Sequence, residues 1–348
     1  MDGKSGAFFR HARRSGLWPE AEAVHRSAVT QARAKLPWNA FAQLHQEAVR
    51  LAYDLWPDAE EDTWQGLSVF AIDGSNYRLP ASKALREAFD PVSGLDHPGQ
   101  GHYPECLVST VYDVFRRLPI ARSIQPMAQA NEREELKALL PLIPAGGILL
   151  LDRGLPQYHL IDFLNQHYQG YWLFRCPARS TFPAVEAFVH SGHSEAMITL
   201  ESPTTPRLCV RAIRFRRWEV ETHYRDEKTS MDIETFHSQT ENGIRQELFA
   251  MVIMAVIARL LMRLTTDPEH PSRAEPQFKH ALISLAQEAA VLTPRDPILA
   301  LSIFRELLDA MARVLYYRPQ VPRPSQPRVC KKPINKWQME RPKRMVGA

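Results

Sequence analysis

The stretch GGILLLDRGLPQYHLIDFLNQHY (residues 146–168) constrains the fold most. Its four aliphatic residues run without polar alternation, so both faces of that strand must be buried. Asp152 ends the run, a short turn with Gly and Pro follows, and an amphipathic helix comes next. A buried strand, a turn and a helix make a βα unit, the building block of a parallel sheet. GYWLFRC (170–176) supplies the next strand.

Strand logic begins earlier, in LSVFAIDGSNYRLP (67–80). There an apolar run meets Asp73-Gly74, a strong turn signal, and a second short strand resumes, which reads as a hairpin. CLVSTVYDVFRRLPIARSI (106–124) reads as a strand, a turn and a further strand, and NEREELKALLPLI (131–143) as a helix with a charged start. Residues 181–215 hold a short helix and two strand-like pieces, AMITL and LCVRAIRF. Residues 20–56 are helix-like, with Phe41, Leu44, Val49 and Leu51 at mixed three- and four-residue spacing. From 216 the pattern is helical to about 317. It includes LFAMVIMAVIARLLM (248–262), which reads as a buried helix because it is too short to span a bilayer and contains Arg259. The order predicts an α/β sheet of mixed direction with a helical bundle attached.

Composition excludes a few classes. Lys and Arg number 43 against 39 Asp and Glu, so the mean charge does not announce a nucleic-acid binder. The distribution says more: from Arg313 to Arg344 there are ten basic residues and one acid, Glu340. Such a Pro-rich basic tail suits a polyanion, and equally a solvated tail that aids solubility. Cys106, Cys176, Cys209 and Cys330 form no CxxC pair, His97 and His102 match no zinc spacing, and Ser109 and Ser123 sit near no nucleophile elbow. The first sixteen residues lack the apolar core of a signal peptide, so the expected location is the cytoplasm, with no membrane.

Reactive groups of open α/β sheets gather at the carboxyl ends of strands. Asp73 and Asp152 both hold that position. On neighbouring strands their carboxylates would repel strongly enough to call for a divalent cation, with Mg²⁺ the natural choice. Read alone, Asp73 before Gly shapes a turn and Asp152 caps the helix after it. In RRWEVETHYRDEK (216–228), Arg217, Glu221, Arg225 and Lys228 fall on one helix face. That face is either a surface salt-bridge ladder or a metal ligand flanked by phosphate-gripping cations. Trp218 is either a core residue or a platform for a displaced base.

FAIDGSNYRLP, ILLLDRGLPQYHLIDFL and RRWEVETHYRDEKTSMDIETFHSQTENGIRQELFA, in this order, resemble the bacterial insertion-sequence DDE transposases of the branch with a Tyr-Arg-Glu-Lys signature, insertion-sequence family four. The third segment is the most specific: an Arg four residues before the Glu, a Trp after that Arg, and a Lys seven residues after the Glu. The resemblance implies an RNase H-like mixed sheet with flanking helices, a shortened β insertion, and helical N- and C-terminal regions. It implies that Asp73, Asp152 and Glu221 are catalytic and bind Mg²⁺, with Mn²⁺ able to substitute. It assigns Arg217, Trp218, Arg225 and Lys228 to DNA. The implied activity is cutting and joining of transposon ends by two-metal phosphoryl transfer, performed by a homodimer on terminal-repeat and target DNA in the bacterial nucleoid. The corresponding boundaries are a DNA-binding region at 1–64, a catalytic domain at 65–265 with its reduced insertion at about 177–215, and C-terminal helices with the basic tail at 266–348.

The sequence departs from the family pattern twice. Arg214 stands where the signature has Tyr, and only 68 residues separate Asp152 from Glu221. One internal deletion accounts for both, and its alternative outcome is a catalytically inactive remnant that still binds DNA. Deleting residues 318–348 is expected to weaken binding to all DNA sequences alike, because phosphate contacts carry no sequence information. Fluorescence anisotropy on terminal-repeat and scrambled duplexes checks this, and loss of end preference at unchanged overall affinity contradicts it.

Overall fold

The computed structural model describes residues 9–10, 12–13, 16, 18–20, 22, 24–90, 103–176, 182–214, 236–265, 274–288 and 296–317. The helix-like pattern of 20–56 resolves into two helices, α1 (Arg26–Lys35) and α2 (Trp38–Leu55). The break falls at Leu36, which is extended because the Pro37 ring excludes helical geometry from the residue before it.

Eight elements follow: β1 (Val69–Arg78), α3 (Lys83–Phe89), β2 (Glu105–Asp113), β3 (Leu118–Pro126), α4 (Glu132–Leu139), β4 (Ile148–Leu151), α5 (Tyr158–His167) and β5 (Tyr171–Phe174). The strands form one five-stranded sheet in the order β3-β2-β1-β4-β5. The first three are antiparallel neighbours, whereas β4 lies parallel to β1 and β5 parallel to β4. The βα unit read from residues 146–168 is therefore the parallel half. This mixed sheet with flanking helices is consistent with the RNase H-like fold that the resemblance implies.

The first strand corrects the hairpin reading of 67–80. β1 runs unbroken through Asp73-Gly74, pairing Asp73 with Thr110 and Gly74 with Ser109 of β2. Gly74 makes no turn, and a Cβ there would stand 2.6 Å from Oε1 of Glu132, the end of an exposed side chain laid across it. A glycine inside a strand often marks such a close approach.

After β5 come α6 (Pro183–Ser191) and a two-stranded hairpin, β6 (Glu195–Ser202) with β7 (Thr205–Ile213). Leu200 and Leu208 of the hairpin pack with Ile161 and Phe182. The expected buried helix is α7 (Glu241–Leu264), capped by the Thr240 hydroxyl, which accepts from the Gly243 N–H. Ile244, Leu248 and Val252 close one apolar cluster with Tyr77, Leu79 and Val108. Trp38 stacks on Phe249 with ring centroids 5.8 Å apart, which locks α2 onto α7.

The helical pattern to 317 is interrupted by two short strands. β8 (Ala274–Pro276) pairs antiparallel with β9 (Leu315–Tyr317) and encloses α8 (Phe278–Glu288) and α9 (Pro297–Ala312) in sequence. Three-residue strands carry too few side chains for a periodicity to register. Leu261 of α7, Leu285 of α8 and Leu307 and Met311 of α9 share a separate apolar cluster. Among the described residues no helix is long and apolar enough to cross a membrane.

His45 joins α2 to the sheet by donating its Nε2–H to the Pro119 carbonyl oxygen at 2.7 Å. Burial pushes the imidazole down to about 4, the Pro119 bond opposes the fall, and the charge of Arg122 adds to it. An unfolded histidine titrates near about 6.5, so the unfolded chain takes up this proton first. The stabilisation is thus complete above about pH 6.5 and is lost as pH falls towards 4. His45→Gln keeps a donor and cannot titrate. Urea midpoints are expected to fall less steeply for this variant than for the native chain between pH 6.5 and 4, and parallel curves contradict the assignment.

Candidate active site

Two strands of unequal length build the site. The last parallel pair between β1 and β4 is Ile72 with Leu151. One residue further, Asp73 continues within β1, while Asp152 is the first residue to leave β4. Neighbouring strands lie about 4.8 Å apart, so the two carboxylates start from adjacent positions on the same edge of the sheet. Ile72, Asp73, Gly74, Ser109, Glu132, Asp152, Gly154 and Leu155 line one cleft there.

Neither local reading of the aspartates survives. Asp73 shapes no turn, since β1 continues to Arg78. Asp152 caps no helix, because α5 begins at Tyr158 with Gln157 as its N-cap and without a side-chain capping bond. Both carboxylates are exposed to the cleft. Oδ1 of Asp73 accepts the Gly74 N–H at 2.9 Å. Oδ1 of Asp152 lies 3.6 Å from Nη1 of Arg175, whose backbone N–H extends the β4–β5 pairing by donating to Leu151 O at 2.9 Å. Both partners are well exposed, so that ion pair stabilises the fold little, although it places a cation beside the carboxylate.

The first turn of α4 forms another wall. Asn131 caps it by accepting from the N–H groups of Arg133 and Glu134. Glu132 then lies across Gly74, and the Arg133 guanidinium reaches the turn after Asp152, donating to Gly154 O at 2.8 Å and Leu155 O at 3.1 Å. That turn is also closed by the Leu155 N–H on Asp152 O at 3.0 Å and anchored by the buried Leu155 side chain. On the opposite strand the Ser109 hydroxyl is buried and has no hydrogen-bond partner among the described residues. Sequence reasoning missed Glu132, Arg133 and Arg175. The Asn131 cap was visible as the charged start of a helix, but nothing local says that its first turn folds against residues 74 and 154.

Asp73 and Asp152 are thus brought together. Glu221, Arg217, Trp218, Arg225 and Lys228 lie in 215–235, outside the described residues, and residues 318–348 of the basic tail and His97 and His102 also lie outside them. Among the described residues no three His, Cys, Asp or Glu side chains stand close enough to hold one metal ion. What Asp73 and Asp152 offer is a pair of hard oxygen donors, the chemistry that Mg²⁺ and Mn²⁺ prefer. Arg214 has a local role: its Nη2 donates to Val189 O at 2.6 Å in the last turn of α6, where helix carbonyls attract cations. A tyrosine could not make that bond and keep the charge.

A family comparison covers this region. Residues 64–257, which include Asp73, Asp152 and Glu221, match the family model described as Transposase DDE domain. The chain is 30% identical over 163 residues to "Putative transposase InsZ" of Escherichia coli (strain K12), covering 44% of this chain and 52% of that protein. It therefore spans about half the length of the curated relative it matches. Among solved structures, the cryo-EM structure of a piggyBac transposase synaptic complex with hairpin DNA matches at a TM-score of 0.34 and 11% identity, covering 74% of this chain and 59% of its own.

The close approach at Gly74 yields a stability test. Gly74→Ala is expected to cost no more than about 1 kcal/mol, because the exposed Glu132 side chain can swing away from the new Cβ. In a Glu132→Ala background that penalty should vanish, and equal penalties in both backgrounds would show that the two residues are not in contact.

Proposed function

Because the chain belongs to the transposase DDE-domain family, we propose that it is the DNA transposase of an insertion sequence, of the Tyr-Arg-Glu-Lys branch. In this reading it cuts and joins transposon ends by phosphoryl transfer. The observation that carries the proposal is the parallel β1–β4 pairing, which sets Asp73 beside Asp152 within the matched residues. Asp73, Asp152 and Glu221 would hold Mg²⁺, or Mn²⁺ in its place, and the bound ions would supply Lewis-acid stabilisation of charge at the scissile phosphate.

The chain's own residues do the rest. Arg217, Arg225 and Lys228 neutralise backbone phosphates near the cut end, and Trp218 offers a stacking face to a base there. Arg175, already beside Asp152, adds a cation at the mouth of the cleft. The partners in this reading are terminal-repeat and target DNA, bound by a homodimer in the nucleoid of the bacterial cytoplasm.

A second reading rests on the 68 residues between Asp152 and Glu221 and on Arg214, whose bond to Val189 gives it a local role unlike that of the signature Tyr. In that reading the chain is an internally deleted remnant that binds DNA without cutting it. A nicking assay on its own terminal repeats with Mg²⁺ or Mn²⁺ separates the two. Native protein that nicks, and a Glu221→Ala variant that does not, support the transposase. Equal and undetectable nicking by both supports the remnant, and nicking without strand joining makes the chain a nuclease of the same fold.

A further inference from the structure

We infer that Arg133 is a positioning residue for Asp152, an inference that rests on the catalytic reading of the aspartates. Asp152 stands where β4 stops, so no strand pairing fixes its backbone on the far side. What fixes it is the turn 152–155, and two consecutive carbonyls of that turn, Gly154 O and Leu155 O, are both held by one guanidinium. Gly154 would otherwise leave the turn its greatest freedom, since glycine restricts the backbone least. The planar fork of arginine suits two neighbouring acceptors, whereas a lysine ammonium would serve them with a single point of attachment.

Arg133 is itself held. Its own N–H is received by the Asn131 cap, and Glu132, one residue before it, is seated over Gly74 next to Asp73. The start of α4 therefore touches the strand that carries one aspartate and the turn that follows the other. It acts as a spacer, and a change of tilt in α4 alters the distance between the two carboxylates. Partners that hydrogen-bond a ligating side chain directly alter metal affinity or activity by about 10- to 100-fold when removed, which bounds the effect of a residue acting through the backbone of the turn.

The test uses the full chain with Arg133→Ala and Arg133→Lys beside the native protein and Asp73→Asn. Two quantities are read: the rise in Tm produced by Mn²⁺, and nicking of terminal-repeat DNA as a function of Mg²⁺. Arg133→Ala is expected to lose most of the Mn²⁺-induced rise. Its kcat should fall by up to about 100-fold at low Mg²⁺ with KM for DNA unchanged, and the gap should narrow as Mg²⁺ is raised. Arg133→Lys should fall between. A Mn²⁺ response and Mg²⁺ profile equal to the native ones overturn the inference. So does a loss that follows the fall in Tm and that Mg²⁺ does not relieve, since that marks a residue serving stability alone. If native protein and Asp73→Asn match in both readouts, the catalytic reading itself fails and this inference falls with it.

Discussion

Two like charges set side by side at the end of a parallel strand pair are the constraint around which this molecule is arranged. The register that joins Ile72 to Leu151 forces Asp73 and Asp152 into adjacency. Leu149 and Leu151 are fully buried, and a slip by one residue would move both from the core to the half-buried face of the strand. Core packing, a large and cooperative term, thus enforces the adjacency of the two acidic positions.

The surroundings contact the two aspartates from several directions. Arg175 supplies a cation at the end of β5, the Gly74 N–H supplies a dipole to Asp73, and both contacts leave the carboxylates open to the cleft. The start of α4 works from the other side, with Arg133 on the turn and Glu132 over the glycine. Further out, α2 and α7 close over one part of the sheet, and the Trp38–Phe249 stack and the His45 bond to Pro119 tie these layers together. The chain that enters 215–235 is secured before it by Arg214 on Ser194 and Val189, and after it by the His237 N–H on Glu247.

Much of this was legible in residue order, and what was not has physical causes. The run ILLL followed by an amphipathic segment led to the parallel βα unit, because an unbroken aliphatic strand suits a covered sheet, although only Leu149 and Leu151 are buried while Ile148 and Leu150 are half-buried. The antiparallel pair 105–126 and the buried helix around 248–262 were equally plain. Asp73-Gly74 misled for a good reason: the dipeptide favours a turn locally, whereas pairing with Thr110 and Ser109 carries the strand straight through it. Pro37 dividing α1 from α2 is a boundary that the apolar spacing of 20–56 concealed. Arg133 was out of reach, since its partners are backbone carbonyls 21 and 22 residues away that leave no mark in side-chain identity.

The most direct trial of the central claim is anomalous diffraction from crystals soaked in Mn²⁺. A peak bridging the Asp73 and Asp152 carboxylates, absent from crystals of Asp73→Asn, is the predicted result. Manganese bound elsewhere, with Asp152 still on Arg175 and no anomalous signal in the cleft, would contradict the account.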